Sequence, residues 1–156
     1  MNALLFPGQG SQFVGMGSEL YSNFDVVKKI FKQADEKLNY PISKLILEGP
    51  ENKLQLTENT QPAILTVSYA IFKVLKDEFE FDFSSFKYFA GHSLGEYTAM
   101  SCADYLNFSD TLKLLRMKSK EGTALLVLMS VWVSVVKLKF YLSTTIDNIL
   151  HPSTTP

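Results

Sequence analysis

Between residues 22 and 38, apolar side chains recur at Val27, Ile30, Phe31, Ala34 and Leu38, while Lys28, Lys29, Lys32 and Asp35 lie mostly off that stripe. Spacings of three and four place the apolar set on one side of a helix, so the segment reads as amphipathic. The run Ala63 to Leu75 is apolar nearly all round until Lys73. A helix without a polar face is a buried one. Thr60 is placed to cap its start, with Pro62 in the first turn. Ser109 is placed likewise at the head of a helix running to about Lys120. Residues 3–6 and 87–90 are short apolar runs that read as strands, the first of them buried. Residues 80–87 mix Phe with Asp and Ser and read as a loop into the second strand. Between Pro41 and Pro50 the pattern breaks, leaving a short apolar turn at Leu45-Ile46-Leu47. Strands alternating with helices predict an α/β layered domain with parallel strands.

The end of the chain has another character. Ala124 to Val136 is a run of 13 residues, apolar but for Ser130 and Ser134, which Lys137 and Lys139 then interrupt. A spanning helix needs about 20 such residues, so the run reads as a strand or a buried helix, and a membrane segment is disfavoured. His151 to Pro156 reads as a frayed polar end.

Composition narrows the function classes. A chain of 156 residues can enclose one core. Its net charge of −1 argues against nonspecific nucleic-acid binding. Cys102 is the only cysteine, which excludes an internal disulfide and fits a reducing compartment, expected to be the cytoplasm. The N-terminus has neither the basic nor the long apolar region of a secretory signal. With one cysteine and only His92 and His151, no metal-ligand cluster is expected.

Two motifs carry chemistry. Gly91-His92-Ser93-Leu94-Gly95 follows the apolar Tyr88-Phe89-Ala90 and has the G-x-S-x-G form of a nucleophile elbow. A serine between two glycines can sit on a strained strand-to-helix turn with its hydroxyl pushed out. Amides of the helix that follows can then face developing negative charge. The bland alternative is a glycine-flanked turn with an idle serine. The second motif, Phe6-Pro7-Gly8-Gln9-Gly10-Ser11-Gln12, is a tight loop after the first strand. Its Gln9 could aim a backbone N–H at an oxyanion, or the loop could be an ordinary turn.

Together these motifs resemble the acyltransferase family that moves malonyl groups from coenzyme A to acyl carrier protein. Thr57-Glu58-Asn59-Thr60-Gln61-Pro62-Ala63-Ile64, the extension Glu96-Tyr97-Thr98-Ala99 and the segment Cys102 to Phe108 fit the same pattern in the same order. The likeness runs from about residue 3 to about residue 120. It implies an α/β-hydrolase-like acyltransferase core over 1–120 and a divergent tail over 121–156. On that reading the chain is truncated before the family's small ferredoxin-like subdomain is complete. Ser93 would be the nucleophile, and the backbone amides of Gln9 and Leu94 the oxyanion donors. His92 and Gln61 would line the substrate site. Malonyl-CoA and acyl carrier protein would be the partners, with no cofactor beyond the thioester substrate.

Two departures qualify the resemblance. The family's base is a histidine in a His-Ser-x-Leu-Met motif, which this sequence lacks; His151, in Leu-His-Pro-Ser, does not match it. The family also holds the malonyl carboxylate with an arginine on the helix after the serine. The ungapped equivalent is Lys118, which keeps the charge but not the planar bidentate fork. Arg116, two residues earlier, lies about 200° around that helix and faces elsewhere. Three readings follow. The chain carries part of a malonyltransferase with impaired turnover, or a non-catalytic acyl- or carrier-binding module, or a generic serine hydrolase. The last leaves the Phe6–Gln12 motif unexplained.

Overall fold

A computed structural model describes residues 2–121 of the chain. The chain divides into two units, Met1–Lys120 and Glu121–Pro156, and the architecture below is that of the first. The apolar run at 124–136 and the polar end lie outside the described residues.

The elements in order are β1 (Asn2–Phe6), α1 (Ser18–Asn23), α2 (Asp25–Leu38), α3 (Ile42–Glu48), α4 (Glu51–Leu54), α5 (Thr57–Asp77), β2 (Phe86–Gly91), α6 (Leu94–Cys102) and α7 (Phe108–Glu121). The strands pair in parallel, as the alternation predicts, with Leu4 opposite Phe89 and Phe6 opposite Gly91. Around the sheet the helices gather on α5, which packs against α2, α3, α4 and α6. That centrality explains its nearly all-round apolar sequence: burial extends along it from Asn59 to Val74. The predicted stripe of α2 is buried at Val27, Ile30, Phe31 and Ala34.

Four local expectations are corrected. Leu45-Ile46-Leu47 belongs to a helix, not a turn. Ile42, Leu45 and Ile46 recur at helical spacing and are buried, with Pro41 before the helix and Gly49 after it. Thr60 does not cap α5, which starts a turn earlier at Thr57. Its hydroxyl instead donates to the Leu54 carbonyl, and Asn59 Nδ2 donates to Lys53 O at 2.9 Å. These bonds close the preceding turn, so the helix extends upstream and Pro62 falls inside it. At α7 the cap is Asn107, whose Oδ1 accepts the Ser109 N–H at 2.9 Å. The Ser109 hydroxyl accepts from Gln33 Nε2 of α2. Finally, β1 is not a buried strand. Phe6 is its one buried residue, and Leu5 is 73% exposed.

The sheet explains the last point. Leu4, Phe6 and Phe89 point toward α5 and α6, where Phe72, Ala99 and Cys102 meet them. Ala3, Leu5 and Tyr88 lie on the opposite face and are exposed. Parallel sheets are usually covered on both faces; among the described residues, side chains pack on one. That packed face is an aromatic chain. The tilted rings of Phe72 and Phe83 lie 4.6 Å apart, Phe83 and Phe89 6.4 Å, and Phe89 and Phe6 6.2 Å between centroids. Beneath it, burial raises the Cys102 thiol far above its ordinary range, which makes it an inert core group. Among the described residues no helix is long and apolar enough to cross a membrane.

Candidate functional site

Parallel pairing brings the two motifs together. Phe6 and Gly91 are register partners at the same end of the sheet. The chain therefore leaves β1 through Pro7-Gly8-Gln9 beside the place where it leaves β2 through His92-Ser93. The two exits touch through backbone. A Cβ on Gly95 would stand 2.4 Å from Phe6 O and 3.0 Å from Pro7 O, and one on Gly8 would stand 3.0 Å from His92 O. A Cβ on Gly91 would stand 2.1 Å from the Gly95 carbonyl carbon. Glycine is required at both ends of the pentapeptide because the backbones leave no room for a methyl.

The strain sits on the serine. Ser93 has φ 54° and ψ −107° and is exposed. A residue with a Cβ held at positive φ typically costs about 1–3 kcal/mol, and such outliers cluster at active sites. α6 begins at the next residue, Leu94. Its first turn spends the Gly95 N–H on His92 O at 3.0 Å and the Glu96 N–H on Ser93 O at 3.1 Å. Among the described residues, neither the Gln9 N–H nor the Leu94 N–H is taken by a backbone or side-chain acceptor. The Gln9 side chain turns toward α5, its Nε2 lying 3.4 Å from Thr57 Oγ1.

The other expected site residues are placed less uniformly. His92 is exposed on the turn, with Nδ1 beside Gly8. Gln61 is buried in α5, and its Oε1 has no hydrogen-bond partner among the described residues. Its carbonyl oxygen is thus not spent on the neighbouring backbone. The Arg116 guanidinium lies over the Tyr40 ring, 4.3 Å from the centroid. Lys118 lies on α7, but its side chain is outside the described residues, as is His151. A cavity of about 260 Å³ lined by Gln33, Tyr69, Ser101, Asp104 and Asn107 lies at the opposite end of α6 and shares none of these groups. Among the described residues no His, Cys, Asp and Glu group could hold a metal. Sequence reading missed Glu51 and Gln55, which tie down the Gln9 loop. Their partners lie some forty residues away in the chain, and no local pattern marks them.

The described residues thus form an α/β unit with a serine-bearing turn that joins a parallel strand to a helix and is flanked by a glycine loop from the adjoining strand. Residues 3–127 match the model of the acyl transferase domain family, and the chain belongs to that family. The malonyl CoA-acyl carrier protein transacylase of Bacillus subtilis (strain 168) is 46% identical over 119 residues, 76% of this chain and 36% of that protein. The acyl-carrier-protein S-malonyltransferase structure from Bartonella henselae aligns with a TM-score of 0.73 at 40% identity, covering 77% of this chain and 38% of that one. A structure of a type II PKS acyl-carrier protein in complex with its malonyl-transacylase aligns with a TM-score of 0.70 at 40% identity, covering 76% and 37%. The chain thus spans little more than a third of the length of the curated relatives it matches.

Proposed function

We propose that residues 1–120 are the nucleophile-bearing part of a malonyl-CoA:acyl carrier protein transacylase core, with 121–156 a divergent tail. Ser93 would attack the thioester carbonyl and form a serine ester, breaking the C–S bond; its hydroxyl proton would end on the departing coenzyme A thiol. The thiol of the carrier protein would then attack that ester and return a proton to Ser93. Splitting the transfer makes each step easier. The Gln9 and Leu94 amides would receive the tetrahedral oxyanion, a contribution worth about 3–4 kcal/mol per donor in comparable sites. Gln61 and His92 would line the acyl pocket. Lys118 would face the malonyl carboxylate as a point charge, which weakens selection for malonyl. The observation that carries this reading is the exposed Ser93 at positive φ, with the Leu94 N–H after it unspent and the loop that bears Gln9 meeting the turn at Gly8. A coenzyme A substrate suits a cytoplasmic setting.

A second reading is a non-catalytic acyl- or carrier-binding role, favoured by Lys118 standing where the family holds the malonyl carboxylate with an arginine. Intact-mass spectrometry after incubation with malonyl-CoA separates the two. A malonyl adduct that disappears in Ser93→Ala supports the acyl-enzyme. Binding of malonyl-CoA without any adduct supports the module.

A further inference from the structure

The Gln9 loop is unusually free of intrinsic restraint. Gly8, Gly10, Gly15 and Gly17 fall within ten residues, the last three at positive φ. Glycine gives a loop many conformations to lose. An oxyanion donor acts by being in place before charge develops, so something must hold this loop.

On the side away from the sheet, the structure shows a closed circuit of hydrogen bonds. The Gly10 N–H donates to Gln12 Oε1 at 2.8 Å. Gln12 Nε2 donates to Gln55 Oε1, and Gln55 Nε2 donates to Glu51 Oε1. The other carboxylate oxygen, Glu51 Oε2, accepts the Val14 N–H at 3.2 Å. The circuit leaves the loop at residue 10, crosses the α4 segment, and re-enters the loop at residue 14. Both backbone contacts flank the part of the loop that leads back to Gln9. Just beyond, the Gly15 N–H donates to Ile46 O at 2.7 Å, which anchors the far end on α3.

We propose that Gln12, Gln55 and Glu51 are positioning residues, whose circuit fixes the loop so that the Gln9 amide stands ready beside Ser93. The proposal rests on the reading of that amide as an oxyanion donor. Direction matters in the circuit. Gln55 must accept from Gln12 and donate to Glu51, so Gln55→Glu places two carboxylates face to face and breaks it. The exchange Glu51→Gln with Gln55→Glu restores every link. The amide introduced at position 51 then donates to the carboxylate introduced at position 55 and still accepts from Val14, while that carboxylate accepts from Gln12. Bulk is nearly constant through this swap and cannot account for such a response. Charge rises in the single variant and returns in the double, so Asn52→Asp, which adds the same charge on α4 without touching a link of the circuit, is the control and should leave both readouts unchanged.

The test uses the full chain and two readouts. Amide hydrogen exchange over residues 8–14 should rise about tenfold or more in Gln55→Glu and return in the double variant, with exchange in α5 unmoved. The rate of Ser93 acylation by malonyl-CoA should fall about tenfold or more in the single variant, with unchanged affinity for malonyl-CoA, and recover in the double variant. Unchanged exchange in Gln55→Glu overturns the circuit. Faster exchange with an unaltered acylation rate overturns the positioning role alone. If the unsubstituted chain forms no adduct while exchange still follows the swap, the acyl-transfer reading fails and takes the positioning role with it, leaving the circuit as a feature of the fold.

Discussion

A single methyl group added at Gly95 should disrupt the junction between β1 and α6. The new carbon would lie 2.4 Å from Phe6 O, whereas carbon and carbonyl oxygen meet at about 3.3 Å. Relief requires α6 to withdraw by roughly 0.9 Å, because the obstructing atom is backbone within a paired strand. That movement pulls Ala99 and Cys102 from their packing on Phe6. Overpacking of this kind costs about 1–3 kcal/mol and occasionally more; with a backbone obstacle the upper end applies, about 3 kcal/mol. The control is Gly10→Ala. Its φ is +108°, but no atom lies within 4 Å of the added carbon, so it carries conformational strain alone, about 1–2 kcal/mol. Gly8→Ala, 3.0 Å from His92 O, combines a milder clash with an ordinary backbone and should fall below Gly95→Ala. Urea denaturation followed by far-UV circular dichroism reads the series. For a slope of roughly 1.5 kcal/mol/M, the midpoint drops by about 2 M for Gly95→Ala and by about 1 M for Gly10→Ala. Equal midpoints, or the reverse order, would refute the claim that backbone crowding dictates glycine here.

Three other outcomes are expected. Ser93→Gly should raise the urea midpoint by relieving the φ 54° strain, for a gain of about 1 kcal/mol, while abolishing any adduct; Ser93→Ala should abolish the adduct without that gain, and a Ser93→Gly midpoint at or below the parent's contradicts the assignment of strain. Asn107→Ala should cost about 1 kcal/mol through loss of the α7 cap, and Ser109→Ala distinctly less; a reversed order in thermal melting tells against Asn107. Native Cys102 should resist iodoacetamide at pH 8.5 and react once urea unfolds the chain. Because burial raises its folded pKa, its contribution to stability is complete below the unfolded thiol pKa, about 8.5, and declines as pH rises above it. Rapid labelling of the native chain contradicts that burial.

The sequence made the large elements legible where periodicity was long. The α2 stripe and the apolar α5 were readable because burial on one face, or on all, leaves a signal over a dozen residues. The seven-residue α3 was not, since four apolar positions between Pro41 and Gly49 fit a turn as well as a helix. Helix starts were misplaced at Thr60 and Ser109 because a hydroxyl can bond to an earlier carbonyl or to a neighbouring helix as readily as cap. The exposure of β1 was hidden because Ala3-Leu4-Leu5 has the composition of a covered strand. At the site, the G-x-S-x-G motif placed Ser93 on its turn, and it was the family resemblance, not any spacing, that brought the Gln9 loop to it. The partition of labour within G-x-S-x-G, with glycines answering to crowding and the serine carrying the unusual torsion, was readable in outline; the source of the crowding at Gly95, the Phe6 and Pro7 carbonyls of the other strand's exit, was not. Nor could spacing join Gln12 to Gln55 across 43 positions.

The aromatic chain beneath the sheet has a spectroscopic corollary. It is built of phenylalanine, and the chain's single indole is Trp132, outside the first unit. Emission excited at the red edge of absorption therefore comes from the second unit alone, whereas near-ultraviolet dichroism from the tyrosines reports mainly on the first. Two optical channels thus follow the surroundings of Trp132 and the unfolding of the first unit separately in one sample, without a label.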